Sequence, residues 1–296
     1  MGGSEVSELS GGPSTPTVLR IILARRLQEI RTQRKVTLKQ AARALGTSEL
    51  TVRRIENAQV GLKALYVREL LRLYEVPQPE VEEFLSLAET AREPGWWHPF
   101  RHALPSWFGA YVSLETGAAL IRLYEPHYVT GLLQTREYAR AVMRAGFPGD
   151  TDDELEERVE VRLRRQAIME KEEAPSIWVV LEEAALRRVV GGPEVMRGQI
   201  DHLLDSLDRP DLTLRVLPFS AGPHPGAGGH FTYFRFEAPE LQDIVYTEGL
   251  TGAAYLDQHG DVTTHLEAHM RISRLAHRRI PDLHSYLHQL RKEYEA

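Results

Sequence analysis

The sequence contains no cysteine among its 296 residues, and no apolar run in it reaches membrane-spanning length. The first absence excludes disulfides, thiolate zinc sites and cysteine nucleophiles. The second excludes a transmembrane helix, which needs about 20 consecutive apolar residues. Residues 1–17 lack the basic and apolar regions of a secretory signal, so we expect them to form a disordered tail. We therefore expect a cytoplasmic protein with no membrane partner.

Signatures of enzymes and metal sites are also scarce. The sequence shows no serine nucleophile elbow with its histidine and aspartate partners, and no motif of paired catalytic carboxylates. Histidines occur four residues apart, the spacing at which two imidazoles share a helical face. These pairs are His98 with His102, His265 with His269, and His284 with His288. Because no pair has an obvious third ligand, we expect no metal site, no cofactor and no enzymatic activity.

Charge is distributed unevenly along the chain. Residues 18–76 contain 13 Lys and Arg against 5 Asp and Glu, whereas residues 77–296 contain 23 against 35. A basic segment attached to an acidic body indicates that attraction to phosphate is confined to one part of the chain. At about 100–200 residues per domain, the length predicts two domains.

The segment TLKQAARALGTSELTVRRIENA, residues 37–58, has the pattern of two short helices joined by a turn. Thr37 and Ser48 are suited to cap the two helices, and Gly46 is suited to the turn because glycine reaches positive φ without strain. An inward face at helical spacing is formed by Ala41, Ala42, Leu45, Val52 and Ile55. Taken alone, two adjacent arginines on such a helix are more often a solvated surface than a nucleic-acid contact.

This segment resembles the helix-turn-helix of the phage-repressor-like family called XRE or Cro/C1, and the resemblance covers residues 18–76. It implies that the second helix enters the major groove of double-stranded operator DNA. It also implies that an arginine of the first helix pairs with Glu56. Many members have glutamine at the position of Leu38, where it helps to hold a phosphate, and leucine cannot make that contact. The DNA-binding residues that we predict are Thr37, Lys39, Gln40, Ser48, Glu49, Leu50, Thr51, Arg53, Arg54 and Lys63.

Five helices are predicted for the N-terminal domain, to which we assign residues 18–92. The next segment, EPGWWHPFRHALPSW at residues 93–107, contains three of the four tryptophans and three prolines, and we interpret it as a linker. Its large aromatic side chains are expected to lie against a surface. Two alternatives remain: the tryptophans wedge the domains together, or they line a pocket for a ligand or partner.

Residues 108–296 are predicted to form a mixed α/β domain. Strands are predicted at residues 119–128, 176–181, 212–218, 230–237 and 243–248. Helices are predicted at residues 135–145, 151–172, 184–190, 193–208, 260–280 and 282–295. Long helices followed by a late run of strands favour an α+β fold that is predominantly helical, with the all-α helix-turn-helix domain at the N-terminus.

Two segments of this domain have alternative interpretations. The glycine-rich loop at residues 221–229 is either a mobile hairpin connection or a lid over a pocket formed by strand aromatics. The charged helix at residues 151–172 is either a solvated helix packed on one apolar stripe or a dimerisation helix. If a small molecule binds, we predict that it contacts Trp96, Trp97, Tyr124, Tyr128, Phe231 and Tyr233.

The stretches GWW (residues 95–97), YEPHYVTGLLQTREYARAVM (residues 124–143) and ERVEVRLRRQ (residues 157–166) resemble the C-terminal domain of actinobacterial regulators of the WhiJ type. The resemblance implies transcriptional regulation and a small partner protein encoded nearby. We therefore predict a sequence-specific DNA-binding regulator whose C-terminal domain binds an effector or partner protein and forms a homodimer. The alternative is an antitoxin-like protein that binds a small partner and uses DNA binding for autoregulation.

Overall fold

A computed structural model describes residues 16–57, 60–91, 96–100, 104–105, 108–237 and 241–295. The predicted tail up to residue 15 and much of the predicted linker, including Trp107, lie outside the described residues. The chain divides into two compact units. The first unit extends to His98 and includes residues 237–241, and the second takes the remaining residues from Pro99 onward.

The first unit is all-α, as the sequence predicts. Its described helices are α1 (Pro16–Gln33), α2 (Leu38–Ala44), α3 (Glu49–Glu56), α4 (Ala64–Leu73) and α5 (Gln78–Thr90). Leucines of α1 at i, i+4 and i+8 point into a core shared with α3, α4 and α5, which is why the periodic sequence folds as a bundle. The mixed α+β class is confirmed by the second unit.

The second unit is built on a six-stranded mixed sheet with the order β3-β2-β1-β4-β5-β6. Its strands are β1 (Leu120–Glu125), β2 (Ser176–Glu182), β3 (Leu212–Leu217), β4 (Phe231–Arg235), β5 (Ile244–Gly249) and β6 (Gly252–Leu256). The first three strands are parallel, with Leu120 opposite Ser176 and Ile177 opposite Leu212. The last three continue the sheet in antiparallel pairs, beginning with Leu120 opposite Arg235.

Helices cover both faces of this sheet. The described helices are α6 (Phe108–Gly117), α7 (Arg136–Gly146), α8 (Asp152–Arg165), α9 (Glu183–Arg187), α10 (Pro193–Ser206), α11 (His259–Arg279) and α12 (Leu283–Lys292). On one face, Ile272 of α11 packs in a core with Tyr233 and Val245. On the other face, Tyr111 of α6 contacts the rings of Phe234 and Tyr246.

Two elements of this unit were not predicted, and the predicted charged helix is shorter than expected. The sequence did not predict α6 or β6: residues 111–115 of α6 are all buried, so no amphipathic stripe marks the helix, and β6 is a five-residue strand rich in glycine and alanine. The charged helix ends at Arg165 and not near residue 172. At that point the side-chain amide of Gln166 donates to the backbone carbonyls of Gly131 (3.1 Å) and Gln134 (2.8 Å). Residues 166–170 then form a 3₁₀ turn.

The apolar stripe of α8 is occupied within the chain. Leu155 and Val159 form a small core with Ala139 and Met143 of α7. Arginines of α7 add ion pairs to the acids of α8, such as Arg140 to Glu156 at 2.9 Å. This packing is that of a solvated helix held on one stripe, and it removes the stripe as a surface for dimerisation.

Candidate nucleic-acid interface and ligand cavity

The helix-turn-helix is set by local hydrogen bonds. The caps at Thr37 and Ser48 and the turn at Gly46 are those that the sequence predicts, whereas the return bond from Gln40 was not predicted. The Thr37 hydroxyl accepts from the Gln40 amide at 3.2 Å, while the Gln40 side chain accepts from the Thr37 amide at 2.8 Å, so α2 begins with a complete capping box. Ser48 caps α3 by accepting from the Thr51 amide at 3.2 Å. Gly46 has φ of 61° in the turn between the helices. These contacts fix where α3 begins and how it leaves α2.

A buried ion pair anchors α3 to α1. The Arg31 guanidinium donates to both carboxylate oxygens of Glu56, at 2.7 and 3.0 Å, and also to the carbonyl of Val36 at 3.0 Å. The hydrogen bond to Glu56 raises the pKa of Arg31. The predicted pairing of Glu56 with an arginine of the first helix is therefore confirmed, and the arginine is Arg31. Because Glu56 is the last residue of α3, the pair holds that helix in place.

The outer face of α3 carries side chains that the fold does not use. Glu49, Leu50, Arg53 and Arg54 are exposed, whereas Val52 and Ile55 are buried on the inner face. Leu50 is 57% exposed. Within the described residues, neither Arg53 nor Arg54 has an ion-pair partner. This face therefore presents two cations and an apolar side chain to solvent.

The other predicted DNA-binding residues surround this face. Lys39 and Lys63 are exposed, and the Lys63 ammonium lies 5.4 Å from the centre of the Tyr66 ring. The Thr51 hydroxyl is within 3.0 Å of the Ser48 hydroxyl, and the oxygens of Thr37 and Gln40 are used in the capping box. Leu38 packs against the core, which agrees with its inability to hold a phosphate.

In the second unit, the glycine-rich loop is not a hairpin connection. Strand β3 lies at one edge of the sheet and β4 lies beside β1, so the chain between them crosses the ends of β2 and β1. Two consecutive carboxylates at the end of β2 hold it there. Glu182 contacts the His224 Nε2 at 3.0 Å, and Glu183 accepts from the amide of Phe219 at 2.8 Å.

The centre of the loop is pressed against the sheet. The Tyr124 hydroxyl donates to Glu182, and the amide of Gly226 donates to His224 Nδ1 at 3.2 Å. Burial, followed by the hydrogen bond to Glu182, raises the pKa of Tyr124. A Cβ on Gly226 would lie 2.5 Å from the Tyr124 ring, so only glycine fits this approach. The loop is a packed cover over the carboxyl ends of the parallel strands.

Beside this cover lies a cavity of about 720 Å³, which we call the sheet-edge cavity. Its walls come from the loop, the end of β5, the start of β6 and the first half of α11, and they include His127, His230, Phe231, Glu248 and His265. Burial lowers the pKa of His230, while the charge of Glu248 acts in the opposite direction.

The residues predicted to bind a ligand are not gathered at this cavity. Of the six, Phe231 lines it, and Tyr124 lies beneath the loop with its hydroxyl committed to Glu182. Tyr233 is fully buried, and its hydroxyl bonds Asp243 and Arg235, so we no longer include it in a ligand site. Tyr128 is 38% exposed. Trp96 and Trp97 belong to the first unit, where their rings meet edge to face at 6.2 Å.

The histidines of the predicted pairs make different contacts in the structure. His265 donates from Nδ1 to the carbonyl of Asp261 at 2.8 Å, whereas His269 is buried and donates to the carbonyl of Leu123 at 3.2 Å. Among the residues that the structure describes, no three histidines or acids are grouped as metal ligands would be. His102 lies outside those residues. No helix in the described part of the chain has the length and apolarity needed to cross a bilayer.

Two protein-family models match the chain, one in the first compact unit and one mostly in the second. Residues 22–84 match the model of a helix-turn-helix domain, and residues 108–281 match the model of a domain of unknown function, DUF5753. The chain belongs to the DUF5753 family. No curated protein and no solved structure gives a significant match. The helix-turn-helix identifies the chain as a DNA-binding regulator.

Within the DUF5753 region, the block at residues 124–143 forms one corner of the fold. Gln134 donates to the carbonyl of Val129 at 2.7 Å, and Thr135 caps α7. The Tyr138 hydroxyl accepts from the amide of Val129 at 3.2 Å. A Cβ on Gly131 would lie 2.8 Å from the side chain of Arg162, so the glycine makes room for an arginine of α8. The block therefore positions α7 and α8.

Several charged residues of the DUF5753 region escaped the sequence analysis. Glu182 ends β2 and Glu183 follows it, and acids at the carboxyl end of a parallel strand are a signal that could have drawn attention to this edge. Arg165 and Glu115 form a bidentate buried pair at 2.7 and 2.8 Å. That pair links α8 to a helix that the sequence did not predict, so no local pattern could reveal it.

Proposed function

We propose that this protein reads an operator through the outer face of α3 and regulates transcription in response to binding at its DUF5753 region. The observation that carries the proposal is the exposed set Glu49, Leu50, Arg53 and Arg54 on a helix whose start, turn and end are each fixed by the fold. A rigid helix that presents side chains with no internal role is suited to enter the major groove.

The chemistry of this face matches the groups that the major groove displays. An arginine can donate two parallel hydrogen bonds to O6 and N7 of guanine, and Leu50 can contact the methyl group of thymine. Surrounding cations, including Lys39 and Lys63, can approach phosphates. The proposal builds on the resemblance to the Cro/C1 family. The family comparison supports a helix-turn-helix domain and does not name that family.

The second unit supplies the regulatory input in this proposal. Ligand sites commonly have volumes of about 300–1,000 Å³, and the sheet-edge cavity of about 720 Å³ lies within that range. We assign a small-molecule effector to this cavity and assign no catalytic step to it. We further propose that the protein acts in the cytoplasm as a homodimer, because a two-fold dimer reads paired half-sites about one helical turn apart.

A second candidate function is that of an antitoxin-like protein of the WhiJ type. Its support is the acidic surplus of residues 77–296, with 35 acids against 23 basic residues, which would attract a small basic partner protein. Purification of the full-length protein together with the products of its neighbouring genes tests this function. Recovery of a stoichiometric complex with one small protein supports it, and recovery of the protein alone argues against it.

The experiment that tests the main proposal is a binding titration of the full-length protein on DNA from its own upstream region, over a range of salt concentrations. We expect the protein to bind this DNA selectively. The logarithm of the binding constant should fall steeply as the logarithm of the salt concentration rises. Arg53→Ala or Arg54→Ala should weaken selective binding by about 1–3 kcal/mol if the arginine contacts a base. The control is Arg72→Ala, which removes an exposed arginine of α4 in the same unit.

The two roles of an arginine can be separated by the salt series. Loss of a base contact reduces discrimination between operator and unrelated DNA, whereas loss of a phosphate contact lowers the salt slope by about one. If the double variant Arg53→Ala, Arg54→Ala binds the operator as tightly and selectively as the wild type, α3 does not read it. The proposal would then be rejected.

A further inference from the structure

A second, smaller cavity lies on the other side of Glu248. Its volume is about 160 Å³, and Glu248 also forms part of the wall of the sheet-edge cavity. The described residues around it are mostly apolar and include Phe108, Met143, Phe147 and Val161. An engineered apolar cavity of about 150 Å³ in another protein holds one benzene molecule. The space therefore suits a group no larger than a single ring or a short branched chain.

Arg162 is one of three charged residues in the described wall of this space, which we call the Arg162 cavity. The other two are Arg158, which pairs with Asp150, and Glu248. The recorded hydrogen bond of Arg162 is a long one, from Nη1 to the Gln134 Oε1 at 3.4 Å. Within the described part of the chain, no carboxylate lies at ion-pair distance from Arg162, whereas Arg165 one turn later is paired with Glu115. Arg162 is thus a half-buried arginine in the wall of a mostly apolar space, and its guanidinium makes one long hydrogen bond within the described residues.

Arg162 stays charged at neutral pH although its surroundings lower its pKa, and it is held in place. Burial, followed by the charge of Arg165, lowers its pKa to about 10, so the guanidinium stays protonated at neutral pH. The close approach to Gly131, where a Cβ would meet the Arg162 side chain at 2.8 Å, restricts its movement. A fixed cation loses little conformational freedom when it binds an anion.

The acids near Arg162 do not neutralise it fully. Glu115 is committed to Arg165, and Glu125 acts on Arg162 from beyond ion-pair distance. Burial raises the pKa of Glu125 to about 7, so a large fraction of that carboxyl group is protonated near neutral pH. Glu248, the acid in the described wall of the cavity, accepts from the Tyr246 hydroxyl at 2.6 Å and is not at ion-pair distance from Arg162. A ligand carboxylate would therefore pair with an arginine that has no other acid at that distance among the described residues.

We propose that the Arg162 cavity binds a small monocarboxylate with an apolar body, whose carboxylate is held by the guanidinium of Arg162. The planar guanidinium matches a carboxylate with two parallel hydrogen bonds. The apolar walls receive the body of the ligand, while the charge of Glu248 disfavours a dianion such as a phosphate monoester. This site is separate from the effector assigned to the sheet-edge cavity, and it does not depend on operator binding.

The test is a titration of the full-length protein with 4-fluorobenzoate, followed by fluorine NMR of the ligand. 4-Fluorobenzyl alcohol, a neutral analogue, and 4-fluorophenyl phosphate, a dianion, are titrated in parallel. We expect the carboxylate to bind and both analogues to bind at least tenfold more weakly. Arg162→Gln should weaken the carboxylate about ten- to a hundredfold, because charged hydrogen bonds are lost. Arg164→Gln, which changes an exposed arginine of the same helix, should have no effect.

Each other outcome rejects the proposal. No binding of 4-fluorobenzoate to the wild type, equal binding of the alcohol, or tighter binding of the phosphate would each show that the cavity is not a carboxylate site. Unchanged affinity in Arg162→Gln would place the ligand elsewhere. If that variant does not fold, Met143→Phe, which fills the cavity and leaves Arg162 in place, should abolish binding. The discrimination between the three ligands needs no variant at all.

Discussion

The two compact units of this protein use charged side chains in opposite ways. In the first unit, Arg53 and Arg54 project from a helix into solvent, and within the described residues no acid pairs with them. In the second unit, Arg165 is 4% exposed and Glu115 is fully buried, and the two form a bidentate pair. Exposed cations can be offered to a partner such as DNA, whereas buried cations are part of the scaffold.

Arg31 and Arg162 show that this division is not absolute. Arg31 lies in the DNA-binding unit but is used internally, to hold the end of α3 through Glu56. Arg162 lies in the scaffold of the second unit but has no internal carboxylate partner among the described residues. The comparison teaches that the partner of an arginine, more than its exposure alone, separates a structural role from a binding role.

The largest expected effect tests the structural half of this comparison. Glu115→Gln would leave the charge of Arg165 buried without a counter-charge, and we expect the free energy of unfolding to fall by about 3–5 kcal/mol. The matched variant is Glu160→Gln, which breaks exposed ion pairs to Arg164 and Arg136 and should cost about 1 kcal/mol or less. Chemical denaturation followed by circular dichroism measures both. Equal losses in the two variants would show that the buried pair is not a structural anchor.

How far the sequence predicts the structure depends on the distance between the residues that interact. Thr37, Ser48 and Gly46 act on neighbours within a few residues, and the sequence predicts both caps and the turn. The Arg31–Glu56 pair, 25 residues apart, was expected only through a family resemblance. Local chemistry is therefore sufficient for α2 and α3, including the exposed face of α3.

The second unit depends on contacts between distant residues. The sequence predicts five of the six strands, but it does not predict that β4 lies beside β1. For that reason the loop at residues 221–229 resembles a hairpin in the sequence and is a crossing in the structure. The two cavities also depend on this strand order. Glu248 meets Phe231 in the sheet-edge cavity only when the sheet is assembled, and it meets Arg162 in the Arg162 cavity only when α8 packs on the sheet. No local pattern marks these combinations.

The second test compares substitutions of two glycines, Gly226 and Gly228, in the loop at residues 221–229. It measures how tightly this loop packs against the sheet. Gly226→Ala would force a methyl group against the ring of Tyr124, and we expect a loss of about 1–3 kcal/mol in the free energy of unfolding. Gly228→Ala, two residues later, meets no atom within 4 Å and should be close to neutral. Chemical denaturation of the two variants measures the difference. Comparable stability of both would mean that the loop is not held against the sheet.

The last test concerns a buried histidine that stays uncharged. Burial, followed by the charge of Arg122, lowers the pKa of His269 from 6.5 to about 4. Between these values the unfolded chain binds a proton that the folded protein does not. His269 therefore lowers the free energy of unfolding by up to about 1.4 kcal/mol for each unit that the pH falls from 6.5 toward 4.

The measurement compares the pH dependence of unfolding in the wild type, His269→Gln and His284→Gln. The first variant keeps a donor for the Leu123 carbonyl but cannot titrate, so its stability should fall less steeply than that of the wild type below pH 6.5. The second changes an exposed histidine of α12 and should retain the wild-type slope. Because Glu125 has a raised pKa, it acts in the opposite direction, and its contribution cancels when slopes are compared between variants. Identical slopes in all three proteins would mean that His269 binds a proton in the folded state as readily as in the unfolded chain. Burial would then not keep this histidine uncharged.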